Sequence, residues 1–132
     1  MREIIEPAAA AAAAGRRSAS QLARILSAYQ SMEAADNMDE WATADLEFHE
    51  SVLAATNNEL MTSLFSVIET ALGTYFLISA REAAKDFKYS LPRHLAIYEA
   101  IKRKDRDSAR QSMLDMIADS RDNIRKSKVK RG

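Results

Sequence analysis

The sequence predicts an all-α domain, on three observations. Its 132 residues include only three glycines and two prolines, too little punctuation for an architecture of strands and turns. Apolar residues recur at spacings of three and four along nearly every long stretch, which is the helical period. Runs of β-branched residues, which would mark strands, are scarce. Hydrophobic residues make up 47% of the chain and charged residues 29%, so it can bury the core of one domain and is not a disordered segment.

The elements follow in order. A first helix is expected from about Arg2 to Ala14, with Pro7 near its start and Gly15 as its C-terminal cap. The alanine run Ala8 to Ala14 gives it strong propensity and a surface that a neighbouring helix can approach closely. Ser18 and Gln21 have the spacing of a capping box, which opens a second helix running to about Ala35 before Ala34-Ala35-Asp36-Asn37 breaks it. A third helix starts near Asp39, carries Trp41, Leu46, Val52 and Leu53, and ends near Thr56-Asn57-Asn58. Asn58 is suited to cap a fourth, whose apolar positions Leu60, Leu64, Ile68, Ala71, Tyr75 and Ile78 carry it to about Ala80. Residues 81–89 fit either a short helix or an ordered connection. Ser90-Leu91-Pro92 reads as a new start, with proline in the first turn, where its missing N–H does no harm. The face of that helix is His94, Ile97, Tyr98 and Ile101. Lys102 to Arg106 reads as a charged turn, and a last helix runs from about Asp107 through Ala109, Met113, Met116 and Ile117. Its end over 121–131 holds six basic residues against one acid, Asp122, the character of a solvated helix terminus.

Composition excludes several functions. Lysine plus arginine and aspartate plus glutamate stand at 19 each, so no global positive field draws nucleic acid to this segment. The chain has no cysteine, which removes disulfides, thiolate ligands and thiol nucleophiles, and leaves histidine and carboxylate as the only strong metal ligands. No apolar run approaches the ~20 residues needed to cross a bilayer, and the alanine run lacks the leucine-rich middle of a signal peptide. A cytoplasmic protein with no membrane partner is expected.

The chemistry concentrates in Asp45-Leu-Glu-Phe-His49-Glu50. Asp45 and His49 are four apart, which on a helix stacks both side chains on one face. The other histidine, His94, also falls on an apolar face. Two imidazoles and a carboxylate suit a divalent first-row metal and leave positions open for water or a ligand. Asp-x-x-x-His is common by chance, so on spacing alone each histidine reads first as a satisfied core or boundary residue, and nothing yet brings His94 to the pair. No Gly-x-Ser-x-Gly elbow and no glycine-rich phosphate loop is present. Glu47 and Glu50 flank His49 but point to other faces, which weakens a paired-carboxylate reading.

Five pieces occur in a specific order and spacing: Arg2-x-x-Ile5-Glu6 ahead of the alanine-rich helix, Asp45-x-x-Phe48-His49, Asn58-x-Leu60, His94-x-x-Ile97-x-x-Ala100-Ile101, and Asp105-x-x-x-Ala109-x-x-x-Met113. Together they resemble, over nearly the whole chain, the C-terminal ligand-sensing (FCD) domain of the FadR-like branch of GntR-type transcription regulators. The resemblance implies an antiparallel bundle of six or seven helices that binds a small organic acid effector. Many members hold a divalent metal (zinc, nickel or manganese) through an Asp and a His one turn apart and two further histidines. Carried onto this chain, the ligands are Asp45, His49 and His94, and the fourth position holds Met116 where the family usually has histidine. A thioether is a soft ligand poorly matched to those metals, so this is a departure; some members of the branch bind effectors without any metal, and Met116 fits that route by making the pocket floor more apolar. The resemblance further implies that Arg2 meets the effector's carboxylate, for which a guanidinium is the right group. Asn58 fits either an effector contact or a structural cap. Implied partners are a second copy of the chain, in a homodimer, and DNA, read only through an N-terminal winged helix-turn-helix. This chain opens at the sensor domain, so Met1 is expected to be an internal residue of a longer protein. Two alternatives come from other classes. One is a metal-dependent hydrolase or oxygenase on Asp45, His49 and His94, for which no further general base is evident. The other is a helical scaffold that only dimerises.

Overall fold

The computed structural model describes residues 2–65, 78 and 87–131, with side chains over 4–65, 78 and 87–119. Among the described residues there is no strand. The helices are α1 (Arg2–Arg16), α2 (Ala19–Ala34), α3 (Met38–Ala54), α4 (described over residues 59–65), α5 (Leu91–Lys102) and α6 (Arg106–Arg131). Of the expected fourth helix beyond residue 65, Ile78 is described and is exposed, while Ile68, Ala71 and Tyr75 lie outside the described residues, as do residues 81–86 and the side chains of the basic end.

Contacts between helix ends give the packing directions. Gln21 at the start of α2 donates to the Ala54 carbonyl at the end of α3 (3.2 Å). Arg93 near the start of α5 reaches Asp119 far along α6 (2.7 Å), and Gly15 at the end of α1 lies against Arg106 at the start of α6. These three pairs are therefore antiparallel. α1 also touches α3 and α5, and α2 packs on α5, which closes the bundle.

Local chemistry starts and stops the helices largely as the sequence foretells. Ser18 Oγ accepts from the Gln21 N–H (3.1 Å) while Gln21 Oε1 accepts from the Ser18 N–H (2.9 Å), a complete capping box. Asn37 caps α3 by accepting from the Glu40 N–H (2.9 Å). Pro92 stands in the first turn of α5. That helix ends with Lys104 in the left-handed region (φ 60°), its N–H on the Ile101 carbonyl (3.1 Å) and that of Asp105 on the Ala100 carbonyl (3.0 Å), a Schellman motif without glycine. Asp105 then caps α6 through the Ser108 N–H (3.1 Å).

Gly15 differs from expectation. α1 runs through it to Arg16, and no described glycine has positive φ. The end of α1 is closed instead by Asn57, itself left-handed (φ 53°), whose Nδ2 donates to the Arg16 carbonyl (2.8 Å). Gly15 serves a close approach: a Cβ there would lie 2.2 Å from the Arg106 guanidinium.

The core sits between these helices. Ala10, Ala13 and Ala14 bring α1 against a cluster that includes Ile25, Trp41, Phe48, Ile97, Ile101 and Met113, so the alanine face permits the close approach its composition suggests. Leu60, expected on the apolar face of α4, is exposed. Among the described residues, no helix is long and apolar enough to cross a membrane.

Candidate metal and effector site

The buried stripe of α3 places the first two residues. Trp41, Asp45, Phe48, His49 and Val52 recur at helical spacing along it and are buried together, so the acid and the imidazole one turn apart face the interior. α5 supplies the third from its first turns. There His94 Nδ1 donates to the Ser90 carbonyl one turn back (2.8 Å), which orients the ring with Nε2 toward α3. Asp45 Oδ1 lies 2.9 Å from His94 Nε2 and 3.1 Å from His49 Nε2. The fold thus assembles the residues that sequence spacing could not connect: ligand atoms of Asp45, His49 and His94 lie within 4.8 Å of one another. Both histidines are 0% exposed and Asp45 is 6%, so these charges interact with little screening by water. The Phe48 ring stands edge-on to His94 (4.9 Å between centroids) and to His49 (5.8 Å), an aromatic wall that limits rotation of both imidazoles.

A fourth residue escaped the sequence reading as a site member. Glu6 of α1 is 1% exposed and its Oε1 contacts His49 Nδ1. The signal was present. Glu6 shares a helix face with Ala9, Ala10 and Ala13, three, four and seven positions on, and all three are fully buried. A carboxylate on such a face has to find a partner inside.

The electrostatics follow from these contacts. Burial disfavours a charged His49, but the Glu6 carboxylate at Nδ1 and Asp45 beside Nε2 outweigh it and push the group up to about 9. Burial likewise favours a neutral Asp45, and the two imidazoles outweigh that too, holding its carboxyl well below the usual carboxylate range.

The residues fit a divalent metal. Two ligand atoms about 2.1 Å from a common ion at tetrahedral or octahedral angles are roughly 3.0–3.4 Å apart, close to the 2.9 and 3.1 Å from Asp45 Oδ1 to the two Nε2 atoms. Each of the two imidazoles also has its Nδ1 held, that of His94 by a carbonyl and that of His49 by a carboxylate, the support that a metal-binding histidine needs.

The other expected residues are placed less directly. Met116 is buried in α6 within the main core cluster. Asn58 is exposed, and its Oδ1 accepts from the Leu60 N–H (3.0 Å), so it caps α4. Arg2 is the first residue of α1, and its side chain lies outside the described residues. A groove of about 530 Å³ lined by Ser31, Asp39, Glu40, Thr43 and Glu47, among others, contains none of the four buried site residues.

The family model of the FCD domain matches residues 1–119. The chain belongs to the FCD domain family. This FCD domain is 35% identical over 122 residues to the galactonate operon transcriptional repressor of Escherichia coli (strain K12), covering 91% of this chain and 53% of that protein. It is 27% identical over 93 residues to the gluconate operon transcriptional repressor of Bacillus subtilis (strain 168), covering 67% of this chain and 38% of that protein. Among solved structures, Streptococcus agalactiae GntR matches with a TM-score of 0.73 and 24% identity, over 91% of this chain and 54% of that one, a likeness of fold. The FCD domain thus spans about half, or less, of the length of the curated relatives it matches.

Proposed function

We propose that this FCD domain senses a small organic acid, held in the bundle through a divalent metal on Asp45, His49 and His94, and that binding controls DNA recognition by a separate N-terminal domain of a longer, homodimeric, cytoplasmic regulator. The observation that carries this reading is the meeting of two imidazoles and a carboxylate in the buried interior, their ligand atoms within 4.8 Å of one another. Three protein ligands leave coordination positions open, as sites that bind exchangeable ligands do. Zinc, nickel or manganese suits the donor set.

The relatives named for galactonate and gluconate operons support an effector of the sugar-acid class. Such acids carry a carboxylate next to a hydroxyl, a pair that can chelate one ion. Arg2 is assigned to the effector's carboxylate. It stands four positions before Glu6 on α1, hence on the same helix face. Met116 is assigned to an apolar floor, and Asn58 to the cap with its amide NH2 left for a contact. Control of DNA binding requires the effector to favour one arrangement of the dimer, and its differential affinity bounds the switch. The relatives are named as repressors, so the reading as a hydrolase or oxygenase gives way.

The test is a thermal-shift screen of chelator-stripped protein against sugar acids, with and without zinc. Selective binding to the folded state raises the melting temperature. Galactonate or gluconate should stabilise the protein with zinc present, and His94→Ala should remove that effect. Stabilisation by the acid that is the same with and without zinc, in wild type and variant alike, would refute the metal-held mode.

A further inference from the structure

The site holds a carboxylate beyond the three ligands, on a different helix. We infer that Glu6 is a positioning residue of the metal site, fixing His49 in the tautomer that turns its Nε2 lone pair toward the ion. The inference rests on the metal reading above and deepens it.

Glu6 Oε1 occupies the Nδ1 side of His49, while Nε2 is the nitrogen that faces Asp45 at 3.1 Å. An ionised carboxylate has no proton to donate, so the proton of this contact belongs to Nδ1. A neutral imidazole with its proton there carries its lone pair on Nε2, on the side of Asp45 and His94. His94 is arranged in the same way, with Nδ1 donating to the Ser90 carbonyl. The two rings therefore present equivalent nitrogens to one carboxylate oxygen, each steered from behind by an acceptor. The acceptors differ in kind. His94 leans on a backbone carbonyl that no substitution removes, whereas His49 leans on a side chain that also carries charge. An anionic acceptor makes the opposite nitrogen a stronger donor to a metal.

The cost of placing Glu6 there also points to a task. It stands on the face of α1 that otherwise buries alanines, and an alanine or glutamine would join α1 to α3 without burying a charge. The geometry gives the carboxylate a use that neither replacement matches.

Zinc affinity of the chelator-stripped chain, measured by competition with a chromophoric chelator, tests the role. Glu6→Gln keeps an oxygen able to accept from Nδ1 but loses the charge, and should weaken zinc binding about tenfold. Glu6→Ala removes the acceptor and should approach a 100-fold loss, the range seen when supporting partners of metal ligands are removed. A tie that only fastens helices would lower the melting temperature and leave the zinc affinity of the folded protein unchanged. Wild type and Glu6→Gln binding zinc equally would overturn the role of Glu6 while leaving the metal reading intact. Absence of zinc binding by wild type would overturn both. Nitrogen-15 NMR of zinc-loaded wild type provides a check independent of how the variants fold: His49 should show a protonated Nδ1 and a coordinated Nε2, and coordination through Nδ1 would overturn the inference.

Discussion

Asp45→Ala should be the most damaging single change in the site, through two separable effects. One carboxylate oxygen serves both imidazoles, at 2.9 and 3.1 Å, so its removal leaves two buried rings without a shared acceptor. Removing one partner of a buried ionic pair costs about 3–5 kcal/mol. The sign with pH is fixed by the depressed carboxyl: the stabilisation is complete above the unfolded value of 3.8 and is lost only as pH falls below it, so at pH 7 the full cost applies. A domain of this size has a total stability of about 7–15 kcal/mol, of which that loss is a large share. With a urea dependence of about 2 kcal/mol per molar, the unfolding midpoint of chelator-stripped protein should fall by about 2 M. The second effect appears with zinc. At a free concentration about 1,000 times the dissociation constant, an ion adds about 4 kcal/mol to wild type, and the variant, short of its anionic ligand, should gain little. The assay is urea denaturation followed by far-ultraviolet circular dichroism, on both proteins, with chelator and with zinc. An unchanged midpoint in chelator would show that Asp45 is not the hub of the cluster, and an undiminished gain from zinc would show that it is not a ligand.

Three further outcomes are expected. For chelator-stripped protein, His49 titrates at about 9 when folded against 6.5 as a free group. Its contribution is therefore complete below pH 6.5 and is lost as pH rises through 9, a swing of up to about 3 kcal/mol; a melting temperature that does not fall over that window would contradict the Glu6–His49 contact. Gly15→Ala should stabilise by about 0.5–1 kcal/mol, because the position is helical and the exposed Arg106 guanidinium, the flexible end of a side chain, can move aside; urea unfolding that shows a loss instead would show that the close approach of Arg106 cannot give way. Met116→His, which restores the nitrogen donor the family usually has there, should tighten zinc binding in calorimetric titration, and equal affinity would place residue 116 away from the ion.

What was legible in the sequence is what short-range chemistry decides. The box at Ser18 and Gln21, Pro92 in a first turn and the pairing of Asp45 with His49 each depend on residues within a turn of one another, and each stands where expected. Gly15 shows the limit. A glycine after an alanine run looks like a cap, but the decision was made by Asn57 and Arg106, 42 and 91 positions further on. His94 reaches Asp45 across 49 positions only because α1 and α2, each packed on both α3 and α5, bring the two side chains into one interior, and helical period carries no information on that. Glu6 was hidden in another way. It belongs to the Arg2-x-x-Ile5-Glu6 pattern, while its position on the buried alanine face already required an interior partner.

The charge count explains how such a cluster can exist inside an apolar bundle. Glu6 and Asp45 bring two negative charges to His49 and His94, all of them buried. The proton that Glu6 and Asp45 hold on His49 offsets part of this charge, and one divalent ion on two neutral imidazoles offsets all of it, so the loaded state leaves no net buried charge to be desolvated. Taking up metal is then an exchange of protons for an ion, favoured as pH rises. Once the ion is bound the cluster is neutral, and an entering carboxylate effector adds a negative charge that a nearby cation has to offset. That requirement gives a physical reason for an arginine four positions from Glu6 on the same helix. On the proposed reading the parts of the sensor separate: the carboxylates and imidazoles would set whether metal is held, and Arg2 would set whether an acid can join it.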